Sequence, residues 1–104
     1  MTESDDPILE LQRGYLAELP GMLLLIRSEI DRFRQGDPGA AASLRTRFHR
    51  LAGSGGSYGF PDISTVAREI EHWLRTDPPA GAAPRMDAAV TRLEEIVGKA
   101  AEGL

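Results

Sequence analysis

The chain has 104 residues, 41% of them hydrophobic, with a net charge of -4, which gives room for one domain with one core and not for two. The absence of cysteine excludes a disulfide framework and thiol chemistry. No apolar run approaches the roughly 18 residues of a membrane span, and the acidic opening Met1-Thr2-Glu3-Ser4-Asp5-Asp6 is unlike a signal peptide. These features predict a cytoplasmic protein with no overall attraction to nucleic acid or to a membrane surface.

Residues 1–6 read as a flexible tail. Asp6-Pro7 then starts a helix, an N-cap acceptor followed by a proline whose missing N–H costs nothing at the first helical position. Apolar residues recur at Ile8, Leu11 and Tyr15 and continue through Leu16, Leu19, Leu23, Ile26, Ile30 and Phe33 at spacings of three and four. Pro20 lacks a donor and clashes with the preceding turn, so a break is expected there, separating a short leader helix from a longer one that ends near Gln35-Gly36. Leu24 and Leu25 fall away from the core stripe, which predicts that at least one packs under the leader and that the other belongs to a partner-docking patch.

Asp37-Pro38 repeats the cap-plus-proline start, and the helix that follows carries Ala41, Leu44, Phe48, Leu51 and Gly55 on one stripe. Residues 57–60 form a glycine-containing turn. Pro61 begins another helix with Ile63, Val66, Ala67, Ile70 and Leu74 inward and Trp73 at the margin. The Pro/Gly/Ala segment 77–84 reads as a linker, and Met86, Ala89, Val90, Leu93, Ile96 and Val97 give a last amphipathic helix. The pattern predicts an all-α fold: a single domain over residues 1–104, an antiparallel up-and-down four-helix bundle with a short N-terminal leader helix.

Within this frame His49 stands out. Taking Leu44 as zero on a helical projection, the core stripe lies within about 60° and His49 near 140°, so its ring faces water. Ala52, Gly53 and Gly56, the positions that would normally shield it, carry a methyl group or nothing. Four glycines between 53 and 59 weaken a helix by roughly 1 kcal/mol each relative to alanine, so something other than helix stability selects them. We read the three small residues as clearing the approach to the imidazole. Arg45, one turn before, and Arg50, adjacent, bring guanidinium groups that suit a phosphoryl group carrying about two negative charges. An exposed, merely solvated histidine is the plain alternative, and the cleared surface argues against it.

The stretch His49-Arg50-Leu51-Ala52-Gly53-Ser54, with Gly59 beyond, resembles the signature of the histidine phosphotransfer (HPt) domain, His-x-Leu-Lys-Gly-Ser followed by a glycine. Leu16-Ala17-Glu18-Leu19-Pro20, the Gly36-Asp37 break, Gly59-Phe60-Pro61 and Glu69-Ile70-Glu71 extend the resemblance over nearly the whole chain. It implies a four-helix bundle in a two-component phosphorelay, with His49 taking a phosphoryl group from a receiver-domain aspartate or a sensor histidine kinase and passing it to another receiver. The family's lysine is replaced by Ala52, which leaves Arg45 and Arg50 as phosphate-stabilising candidates. Glu71 matches an acidic residue that hydrogen-bonds the histidine in the similar domain of chemotaxis kinases. It is equally placed to pair with Arg75 one turn later.

His72 lies on the outward face of its helix without a cleared surface and reads as a solvated residue. Two histidines without companions at ligand spacing predict no metal site. With no nucleotide-binding loop and no acidic cluster for magnesium, the chain is expected to be a phosphocarrier without autonomous kinase activity, acting as a monomer with no cofactor of its own. Magnesium is expected only on the partner receiver domain. The alternatives are a helical docking module that binds a receiver or kinase without chemistry, and a bundle that dimerises through Leu24 and Leu25.

Overall fold

A computed structural model describes residues 6–75 and 82–104, which form four helices: α1 (Pro7–Arg34), α2 (Ala40–Ser57), α3 (Pro61–Leu74) and α4 (Ala82–Gly103). Each helix packs on its two neighbours in the order α1-α2-α3-α4-α1, and among the described residues no diagonal pair brings its backbones within 8 Å. Cross-contacts fix the directions. Tyr15 meets Ser54 while Glu29 meets Ser43 and Arg47, so α1 and α2 are antiparallel. Arg27 reaches Thr91 and Glu94 on α4, His49 of α2 meets Glu71 of α3, and Arg85 of α4 covers the Trp73 ring of α3. The architecture is the expected antiparallel up-and-down bundle.

The core is the predicted stripe of each helix closed on the others. Ile26, Ile30, Leu44, Phe48, Ile63, Met86 and Val90 are fully buried, each contributing on the order of 1.5–3 kcal/mol from removal of apolar surface from water. No buried side-chain nitrogen or oxygen among the described residues lacks a hydrogen-bond partner. At the start of α1 the Asp6 carboxylate accepts from the Ile8 N–H, the capping bond that the sequence indicates.

Several boundaries differ from the sequence expectation. There is no separate leader: α1 runs unbroken through Pro20 for 28 residues. Pro20 itself is exposed, so its ring does not intrude on the core. The stripe Leu16, Leu19, Leu23 and Ile26 keeps its phase across the proline, and burial of that stripe outweighs a helix-interior proline cost of about 3 kcal/mol. Ile8 and Leu11, assigned to that stripe, are exposed, and burial begins only at Tyr15. Leu24 and Leu25 are exposed as well, at 66% and 53%, because no leader exists to cover them.

The helix α2 starts at Ala40 rather than at Pro38. Asp37 instead closes a turn, its carboxylate accepting from the Gly39 N–H and its carbonyl from Ala40. Of the expected linker, residues 82–84 form the first turn of α4, with Ala82 and Ala83 buried, and residues 77–81 lie outside the described residues, as do residues 1–5 of the expected tail.

Candidate functional site

The site is built where α2 and α3 run closest. A Cβ on Gly55 would stand 2.9 Å from both the Ile63 Cγ2 and the Ser64 amide nitrogen, so only glycine allows this approach of the two backbones. The connection between the helices is set by Gly59, whose φ of 84° an L side chain rarely adopts. Gln12 of α1 donates to the Tyr58 carbonyl at 2.9 Å and ties that turn down. Tyr15 supports it from below, stacked on Tyr58 at 4.5 Å and on Phe60 at 5.9 Å, with its hydroxyl 2.8 Å from Ser54 Oγ. Burial raises the Tyr15 phenol above its usual value, partly offset by the Ser54 hydrogen bond.

On this seam the His49 side chain is 68% exposed and Glu71 only 9%. The two meet at 3.0 Å, His49 Nδ1 to Glu71 Oε1. The same Glu71 oxygen accepts from Arg75 at 2.5 Å. The two pairings that the sequence leaves as alternatives are therefore made together. Burial alone would raise the Glu71 carboxyl; the His49 hydrogen bond and the Arg75 charge outweigh it and hold the group below its usual value. An ionised carboxylate only accepts, so Nδ1 is the ring nitrogen that donates to it, and in the neutral ring the lone pair is on Nε2.

Around the exposed side of the ring lies an open hollow of about 390 Å³, lined by Arg45, Thr46, His49, Arg50, Glu71 and Arg75. Arg45 and Arg50 are exposed and make no ion pair among the described residues. Arg47, the third arginine of this stretch, is engaged elsewhere: it pairs with the buried Glu29, which also accepts from Ser43 Oγ at 2.7 Å. Thr46 turns its hydroxyl back to the Ala42 carbonyl. Among the described residues no group of three or more His, Asp or Glu side chains is placed to hold a metal ion.

Gly53 is exposed, with nothing within 4 Å of a Cβ placed there, and Gly56 is exposed beside Ser64 Oγ. Ala52 is not part of that open surface. It is 5% exposed and belongs to the core. It shares a stripe with His49 and Gly56, both of which face α3, and the close helix approach at Gly55 covers the methyl group.

The two exposed leucines separate. Leu24 lines a groove with Pro20, Glu94, Val97 and Gly98 between α1 and α4, away from His49 on α2 and α3. Leu25 sits one turn before Glu29, on the α2 side of α1. His72 is exposed, as its projection indicates.

A histidine held at Nδ1 by a buried carboxylate, open at Nε2 and ringed by arginines is accompanied by a match to a known family over residues 10–102, described as the Hpt domain. The chain belongs to the Hpt domain family. Hpt domains are phosphotransfer modules of two-component signalling that carry phosphoryl groups between histidine kinases and receiver domains. No curated protein and no solved structure matches the chain closely enough to add to this. No helix among the described residues is long and apolar enough to cross a membrane.

Arg75 is the member of the hollow that a search around His49 along one helix misses. Its signal is two steps removed: Glu71 faces the histidine from α3, and Arg75 follows Glu71 by one helical turn.

Proposed function

We propose that this Hpt domain accepts a phosphoryl group on Nε2 of His49 from a receiver-domain aspartate or a sensor histidine kinase, and returns it to a receiver aspartate. The observation that carries the reading is the 3.0 Å contact of His49 Nδ1 with Glu71 on a ring that is otherwise open to a partner. In the step from a receiver, the Nε2 lone pair forms the N–P bond while the P–O bond to the aspartate breaks, its electrons leaving on the aspartate carboxylate. The Nδ1 proton stays between the ring and Glu71, which balances the positive charge that the ring acquires.

Arg45 and Arg50 take the part of the family lysine absent at Ala52, offering charge-assisted hydrogen bonds to the phosphoryl oxygens. Gly53 and Gly56 keep the surface low for the approaching domain. Leu25 and the hollow's rim lie on the face that the partner covers, and Leu24 takes no part. Magnesium belongs to the receiver, and the chain has no kinase activity of its own.

Incubation with a radiolabelled phospho-receiver should place an acid-labile, base-stable label on the wild-type chain and none on His49→Gln. Equal labelling of the variant would overturn the assignment. Binding of the receiver without any label on the wild type would make the chain a docking module instead.

A further inference from the structure

Glu71 is a shared acceptor. One oxygen, Oε1, receives the His49 ring from α2 and the Arg75 guanidinium from one turn further along α3. The carboxylate is nearly covered, with its side chain 9% exposed, whereas Arg75 is 57% exposed at the rim of the hollow. Arg45 and Arg50 line the same hollow from α2 but make no hydrogen bond to Glu71 among the described residues. Arg75 is thus the one cation in contact with Glu71 there.

A glutamate has three side-chain torsions, and its terminal one is broad, so a single hydrogen bond to a largely exposed imidazole does not define where Oε1 stands. A second donor on the same helix does. Arg75 spans the i,i+4 distance to Glu71 and holds the same oxygen that His49 meets from α2. A neutral imidazole donates from one nitrogen only, and the position of the acceptor decides which.

We propose that Arg75 is a positioning residue: by holding Glu71 Oε1 in place it keeps the ring proton of His49 on Nδ1 and leaves Nε2 open. That this serves phosphoryl transfer rests on His49 being the acceptor; the placement of the proton does not.

The experiment uses the 104-residue chain carrying His72→Gln, so that His49 is its one histidine, with 15N-labelled histidine at about pH 8.5, where an imidazole is neutral. Averaged 15N shifts of the two ring nitrogens report the ratio of Nδ1–H to Nε2–H tautomers. In the reference protein Nδ1–H dominates. Arg75→Gln lowers the ratio roughly threefold, Arg75→Lys restores most of it, and helix content by circular dichroism stays unchanged in both. Acceptance of phosphate from phosphoramidate falls in step with the ratio.

An unchanged ratio in Arg75→Gln overturns the proposal. So does an increased ratio, which would show that Arg75 competes with His49 for the oxygen instead of positioning it. A slower acceptance with an unchanged ratio would make Arg75 a contact to the phosphoryl group and would equally overturn the proposal. Should the wild type take no label from any donor, the functional reading fails while the ring spectra still decide the role of Arg75.

Discussion

Two buried carboxylates flank α2, Glu29 from α1 and Glu71 from α3, and both are paired with an arginine. Glu29 spends its two oxygens on Ser43 and Arg47, both on α2, and so joins α1 to α2. Glu71 spends one oxygen on Arg75 and on a histidine that remains two-thirds exposed. The chemistry of the pairs is similar, but the first is closed on the protein and the second is open to a partner. A buried ion pair in this bundle is thus a fastener in one seam and a handle on a reactive ring in the other.

Breaking the fastener should have the largest effect. Glu29→Ala leaves the Ser43 hydroxyl and Arg47 without their acceptor and should cost about 2–3 kcal/mol in chemical denaturation, with the phosphotransfer rate within about twofold of wild type once folded. A large loss of rate with stability retained would erase the distinction between the two carboxylates. Glu71→Gln should do the reverse, lowering the phosphotransfer rate about tenfold while changing stability by under about 1 kcal/mol, as read by stopped-flow transfer and urea titration.

Smaller effects sharpen the contrast along α2 itself. Gly53 has open space beside it where Gly55 has none. Gly53→Ala should therefore stabilise the helix by about 0.5–1 kcal/mol, and Gly55→Ala should destabilise the α2–α3 seam by about 1–3 kcal/mol. Gly53→Gln should leave acceptance from phosphoramidate unchanged and slow only transfer from a receiver. If both donors slow equally, Gly53 does not clear the approach of a large partner.

The smallest effect is in pH. Because the Glu71 carboxyl is held below its usual 4.5, its contribution to stability is present above that value and is lost as pH falls through the lower value of the folded state. The stability difference between wild type and Glu71→Gln should shrink as the pH falls from about 4.5 through that lower value. A difference that is unchanged or larger once the pH lies below that value would contradict the assigned pairing.

Most of the frame is legible in the sequence because it rests on apolar spacing, which survives projection onto a single helix. The four core stripes and the outward direction of His49 are of this kind. What spacing cannot show is how far a neighbouring helix reaches around. Ala52 lies at the edge of its stripe, and the α2–α3 approach permitted by Gly55 extends burial to cover it. Pro20 misleads for a related reason, since a local rule about proline is overridden by a stripe that stays in phase on both sides of it.

The division of the three arginines was also hidden. Glu29 shares the inward face of α1 with Ile26, Ile30 and Phe33, and a charge on such a face signals a partner on the facing helix, but only the antiparallel register identifies Arg47 as that partner. The same register identifies Glu71 as the partner of His49, for which the family resemblance gives the hint and the structure gives the distance.

The central claim is that Nε2 of His49 carries the phosphoryl group while Nδ1 keeps its proton against Glu71. Nitrogen–phosphorus coupling in the 15N-histidine protein, phosphorylated by a receiver domain, tests it directly. The account predicts coupling from phosphorus to Nε2 of His49, with a proton still on Nδ1. Coupling to Nδ1, or to either nitrogen of His72, would contradict it.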